Sequence, residues 1–185
     1  MKLNIKDRLV IIVGPSTTGK STLARKIKRE FNYSSTIISY DEMTKKNNKK
    51  SSQKTDDELF RTQLLEQISD AINNESNELI ILDSTNYDAE ELFSTLYTVR
   101  TWLNYRDGIT LIKMDLPLEL HEEYIQKKFG NKSSDYYPDI LQQRDHYTSP
   151  GGSLNNSYDI LTNNEFIIEN PEGLKIKFKM TGKNI

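Results

Sequence analysis

The residues Gly14-Pro15-Ser16-Thr17-Thr18-Gly19-Lys20-Ser21, followed by Thr22, carry the most specific chemistry in this chain. Gly14 and Gly19 let a backbone fold tightly enough to aim several N–H groups at one anion. Lys20 adds an ammonium and Ser21 a hydroxyl. Between an apolar strand and an amphipathic helix, this pattern cradles a nucleotide triphosphate, and the positive end of the helix adds to the attraction. Lys20 is then expected on the β- and γ-phosphates and Ser21 on Mg²⁺. ATP and Mg²⁺ are therefore expected, with Gly14, Pro15, Ser16, Thr17, Thr18, Gly19, Lys20, Ser21 and Thr22 forming the donor site. Lys20 is read as an exposed residue with no role in the core.

Two carboxylates complete the candidate machinery. Asp41 follows the apolar run Thr36-Ile37-Ile38-Ser39, and Asp83 ends Glu78-Leu79-Ile80-Ile81-Leu82. Carboxylates at the ends of parallel strands face the same crevice as the glycine-rich loop. Asp41 is placed to take a proton from an attacking hydroxyl, unless it only caps a helix or turns the chain. Asp83 is placed to hold Mg²⁺ through its water shell, with Ser84, Thr85 and Asn86 turning the chain after it.

Alternating elements must position these groups. Leu9 to Val13 is an unbroken apolar run, as in a strand buried on both faces, and it stops at Gly14. Lys20 to Phe31 places Leu23, Ala24, Ile27 and Phe31 at helical spacing. A helix from near Asp56 carries Leu59, Phe60, Leu64, Ile68 and Ile72 on one side, and another covers about Ala89 to Tyr105. Ile109 to Met114 and Glu165 to Ile168 read as strands, and Lys175 to Met180 as an edge strand. Leu118 to Phe129 and Pro138 to Tyr147 read as helices, with Gly130 to Tyr137 irregular between them. The pattern predicts one α/β domain over 1–185 with a P-loop NTPase/kinase fold. It has a parallel sheet of about five strands with helices on both faces, and a short lid at about 126–148. Residues 44–54 contain no apolar member and read as a mobile basic loop.

Composition narrows the chemistry. The chain has 185 residues, a net charge of −2 and no cysteine, which excludes disulfides, thiolate metal sites and cysteine nucleophiles. No run approaches the roughly 18–20 apolar residues that span a bilayer. The first residues lack the apolar core of a signal peptide, so a cytoplasmic protein is expected.

The motif at Gly14 to Ser21, Ser39-Tyr40-Asp41, Leu82-Asp83-Ser84-Thr85-Asn86 and Met114-Asp115-Leu116-Pro117-Leu118-Glu119 together resemble the P-loop polynucleotide kinases and their small-kinase relatives, over about residues 8–148. The resemblance implies an adenylate-kinase-like fold and transfer of the γ-phosphate of ATP to a 5′-hydroxyl of DNA or RNA. It implies Asp41 as general base and Gln126 to Arg144 as lid. Thr44 stands where that family often has an arginine, and the lid cations are Lys127, Lys128, Lys132 and Arg144. Arg144 is counted with Lys20 and Asp41 among the catalytic candidates.

These residues point to ATP-dependent phosphoryl transfer to a hydroxyl, with a nucleic acid 5′-hydroxyl as first acceptor. A nucleotide, a modified base or another small molecule is the alternative. A regulatory P-loop ATPase without acceptor is the rival from another class. Lys45, Lys46, Lys49, Lys50 and Lys54 either solvate a loop or meet a polynucleotide backbone. Trp102, with Tyr97 and Tyr105, is expected in the core. His121 and His146 are expected at the surface without a role.

Overall fold

The computed structural model describes residues 2–31, 34–39, 43, 55–85 and 88–178, with the side chains of 55–61 left aside. Asp41, Asn86 and the basic loop at 44–54 lie outside the described residues.

The strands are β1 (Lys2–Ile5), β2 (Leu9–Val13), β3 (Ser35–Ser39), β4 (Leu79–Asp83), β5 (Ile109–Met114), β6 (Asn164–Ile168) and β7 (Lys175–Phe178). The helices are α1 (Lys20–Phe31), α2 (Thr55–Asn73), α3 (Ala89–Thr101), α4 (Leu118–Phe129) and α5 (Ser133–Thr148), with a 3₁₀ turn at Gly130–Lys132. Five strands form one parallel sheet in the order β3-β4-β2-β5-β6. Every residue of β2, β4 and β5 is buried. That is why these segments read as continuous apolar runs rather than as alternations.

Each face of the sheet carries its own core. On one face Leu9, Ile11, Ile80 and Leu82 pack against Leu64 and Ile68 of α2 and Leu92, Leu96 and Val99 of α3. On the other, Val10, Ile12, Ile81 and Ile112 pack against Leu23, Ala24, Ile27 and Phe31 of α1. The α/β P-loop fold expected from the alternating pattern is the fold observed.

One local expectation is completed and three need correction. The edge strand at Lys175 pairs with β1, in parallel, and is no part of the five-stranded sheet. In β1, Leu3 and Ile5 are fully buried, too short a pattern to announce a strand. Phe178 then closes on Phe31 edge-to-face at 4.9 Å. Next, α3 ends at Thr101. Asn104 adopts φ 49°, and the amides of Trp102 and Leu103 both return to the Thr98 carbonyl. A left-handed Asn is a common helix stop. Trp102 itself still has helical dihedrals and lies off the face that carries Leu92, Leu96 and Val99, so its side chain is 83% exposed. Tyr97 is exposed and stacks on Phe93, and only Tyr105 is buried.

Third, α5 begins at Ser133, so the stretch read as irregular is mostly helical. Pro138 lies in its second turn, where it forfeits one backbone bond without preventing the helix. Last, the His121 side chain is wholly buried, not at the surface. His146 is half exposed and pairs with Asp88 at 2.8 Å. Among the described residues no helix is long and apolar enough to cross a membrane.

The β1–β7 ribbon is a stability element on this reading. Ile5→Ala empties a fully buried position and is expected to cost about 2–5 kcal/mol. Urea unfolding measures it. A change below about 0.5 kcal/mol, the range of surface substitutions, would show that the ribbon does not pack as described.

Candidate active site

The site begins where β2 runs out of apolar residues. Gly14 leaves the strand at φ 145°, and a Cβ there would lie 3.0 Å from both the Cβ and the carbonyl oxygen of Met114. A side chain at this position would hold the loop away from the end of β5. Gly19, at φ 88°, makes the second turn that starts α1, whose Leu23 amide returns to the Gly19 carbonyl at 2.9 Å. Thr18 Oγ1 donates across the loop to the Pro15 carbonyl at 2.9 Å.

Lys20 is buried, 7% exposed, contrary to the expectation of an exposed residue. Its Nζ donates to the carbonyl oxygens of Gly14 at 2.8 Å and Pro15 at 2.7 Å. A buried ammonium must be hydrogen-bonded, and the loop's own carbonyls do this. The charge is thus held inside the loop it serves.

A cleft of about 690 Å³ opens beside this loop. Gly19, Lys20, Ser21 and Thr22 form its floor, and Asp83, 5% exposed, lines it from the end of β4. Asp83 is in register with Ile12 of β2 and with Ser39 of β3, which also lines the cleft. Parallel strands thus bring Asp83 and the loop to one end of the sheet, as their sequence positions predict. Ser21 and Asp83 are hard oxygen donors, the set that suits Mg²⁺ when substrate phosphates supply further ligands. The donor residues therefore fit a magnesium–nucleotide.

Several lining residues escaped the sequence reading. Arg25 stands on the helix face of Ser21, four residues on, and lines the cleft with Ile37. That spacing is a signal that could have found it. Tyr124 of α4 and Pro171 after β6 flank Gly19: a Cβ on Gly19 would sit 3.5 Å from Tyr124 Cε2 and 3.9 Å from Pro171 Cγ. Glu172 accepts from the Tyr124 hydroxyl at 3.5 Å. No local pattern marks residues 171 and 172. They arrive because β6 lies beside β5.

The four lid candidates separate. Lys127 and Lys128 line the cleft, while Lys132 and Arg144 do not. Arg144 Nη1 donates to the Leu116 carbonyl. Burial pushes the Asp115 carboxyl up from its ordinary pKa, and the Arg144 guanidinium opposes that shift.

His121 of α4 also reaches the loop. Its Nε2 lies 2.8 Å from the Ser16 carbonyl oxygen and 2.9 Å from Thr17 Oγ1. The Ser16 amide donates to Gln143 Oε1 of α5 at 3.1 Å. Burial, with Arg144 and Lys20 nearby, holds the imidazole pKa below its usual value.

Residues 9–147 match the family model of the AAA domain. A gluconokinase from Sinorhizobium meliloti 1021 is similar in structure, with a TM-score of 0.52 and 14% identity, over 88% of this chain and 83% of that one. A candidate kinase from Chloroflexus aurantiacus j-10-fl also has a TM-score of 0.52 and 14% identity, over 94% of this chain and 85% of that one. No curated protein matches in sequence. The family match spans well over half of the chain and contains the loop, Lys20 and Asp83, so the chain belongs to the AAA domain family and has the α/β P-loop NTPase fold.

Proposed function

We propose that this protein is an ATP-dependent phosphotransferase acting on a hydroxyl of a small, anionic acceptor. One observation carries the reading: the cleft that starts at Lys20 and Ser21 continues past Asp83 to Ser39, Ile37 and Arg25. The donor residues occupy its floor. The groove between α1 and β3 remains for an acceptor, with the Arg25 guanidinium at its edge. A cleft of about 690 Å³ has the size of a small-molecule site. The gluconokinase of similar fold is a kinase by its name, in keeping with this reaction class.

In this reading the loop and Lys20 hold the triphosphate, and Ser21 and Asp83 hold the magnesium. The metal would neutralise charge on the phosphates. Phosphoryl transfer through a loose transition state needs positioning and charge stabilisation above all. Lys127 and Lys128, at the cleft wall, are better placed than Arg144 to meet the moving charge. Asp41 follows Ser39 by two positions and serves as general base for the acceptor hydroxyl.

A polynucleotide 5′-hydroxyl is the second acceptor reading, favoured by the exposed Lys127 and Lys128 beside the cleft. Against it stands the overall charge of −2, where a protein that tracks a phosphate backbone is usually basic. Labelled ATP with Mg²⁺ distinguishes the two readings. The panel holds small hydroxyl compounds with and without a carboxylate or phosphate, and a 5′-hydroxyl oligonucleotide. Label in an anionic small acceptor is the expected result. Label in the oligonucleotide alone would replace the small-acceptor reading.

Three substitutions test the residue roles. Lys20→Ala is expected to abolish transfer while the protein stays folded, and wild-type turnover in that variant would remove the donor assignment. Arg25→Gln is expected to raise the KM of the acceptor about tenfold, as for a lost hydrogen bond to a charged group, with the KM of ATP unchanged. Equal KM values for wild type and variant would exclude Arg25 from acceptor binding. Asp41→Asn is expected to lower kcat by about 10²–10⁴ with ATP affinity retained. Loss of ATP binding instead would place Asp41 in the metal site.

A further inference from the structure

His121 has chemistry that the phosphoryl-transfer reading does not use. It sits in the first turn of α4, wholly buried, with Nε2 against two oxygens of the P-loop. These are the Ser16 carbonyl at 2.8 Å and Thr17 Oγ1 at 2.9 Å. The hydrogen bonds define the tautomer. A carbonyl oxygen only accepts, so Nε2 must carry the proton. The Thr17 hydroxyl gives its own proton to the Ser16 carbonyl at 2.6 Å, leaving a lone pair for the same Nε2–H. One ring N–H is thus shared between both oxygens. Nδ1 is then a bare acceptor, buried without a hydrogen-bond partner among the described residues. A proton there would add a cation beside Lys20 and Arg144, opposed among the described residues by Glu122 of the same helix.

The contact falls on a strained residue. Thr17 has φ 65°, a left-handed conformation that a β-branched side chain rarely adopts. Such conformations persist where the surroundings impose them. The imposition comes from two helices. His121 of α4 holds the Ser16 carbonyl, and Gln143 of α5 accepts from the Ser16 amide at 3.1 Å. Both backbone polar groups of Ser16 are therefore tied to the α4–α5 pair. Ser16 and Thr17 themselves line the cleft, with Gly19 and Lys20 further along the loop.

We propose that His121 is a positioning residue of the donor site: with Gln143 it clamps Ser16 and Thr17 in the strained course that aims the rest of the loop at the phosphates. This rests on the reading of the loop as an ATP site. Nucleotide affinity is then set partly by α4 and α5, which lie beyond β5 in the chain.

Calorimetric titration of Mg–ATP into His121→Met and His121→Gln separates the clamp from mere packing. Methionine fills similar space without a donor, and glutamine keeps an N–H at similar reach. The Met variant is expected to bind about tenfold more weakly, the loss of one net hydrogen bond, and the Gln variant close to wild type. Adding Thr17→Gly to the Met variant is expected to recover most of the affinity, because glycine takes the left-handed conformation unaided. Wild-type affinity in the Met variant overturns the proposal. So does equal weakening of the Met and Gln variants without recovery by Thr17→Gly. Should the Met variant not fold, Gln143→Met at its half-buried position reads the other side of the clamp. A severalfold rise in Kd supports the proposal, and an unchanged Kd overturns it. Wild-type protein that binds no Mg–nucleotide overturns the donor-site reading itself, and the clamp with it.

Discussion

β2 is hydrogen-bonded to β4 on one side and β5 on the other, and all its residues are buried. Its direction and depth are therefore fixed by the whole sheet, and the chain must leave it at one place. There it meets Met114 at the end of β5, so closely that a Cβ on Gly14 would have 3.0 Å to its nearest neighbours. Everything in the donor site follows from this exit. The loop turns over the strand ends, α1 starts at Lys20, and the first residues of α1 face the carboxylate that ends β4.

Charge is managed the same way, by backbone that the sheet has already placed. The Lys20 ammonium is buried on the Gly14 and Pro15 carbonyls, so its position is set by the loop and not by solvent. A second buried cation steadies the neighbouring strands. Lys113 of β5 pairs with Glu165 of β6 at 2.9 Å and donates to the Asn156 carbonyl at 2.7 Å. Its ammonium also lies 4.9 Å from the centre of the Tyr158 ring. Burial pushes the Tyr158 phenol up to about 12. A buried pair of this kind adds little net stability, and losing one partner would leave a charge without compensation. It ties the segment between α5 and β6 to the sheet on which the cleft is built.

The order of elements was legible because the signals are local. The central strands are buried on both faces and so read as apolar runs, and α1 shows its four core residues at helical spacing. The loop motif was equally legible, since glycine placement and the Lys-Ser pair are demands of backbone geometry and phosphate chemistry. Asp83 was found by the same logic, because a carboxylate ending a parallel strand lands at the crevice. Trp102 shows the limit. Its hydrophobicity pointed to the core, but it lies off the helix face that carries Leu92, Leu96 and Val99, and its ring stays in solvent.

The sequence by itself therefore determined the five-stranded sheet, the loop and the meeting of Lys20, Ser21 and Asp83 at one end of that sheet. Each of these depends on residues adjacent in the chain or on strand periodicity. Tertiary structure alone decided the walls of the cleft. Tyr124, Lys127, Lys128, Pro171 and Glu172 come from two distant segments that meet the loop because β5 lies beside β2 and β6 beside β5. It also decided the state of His121. An isolated histidine in a polar stretch carries no label of burial. Packing of α4 against the loop removes its ring from water and turns Nε2 onto Ser16 and Thr17, more than a hundred residues away in the chain.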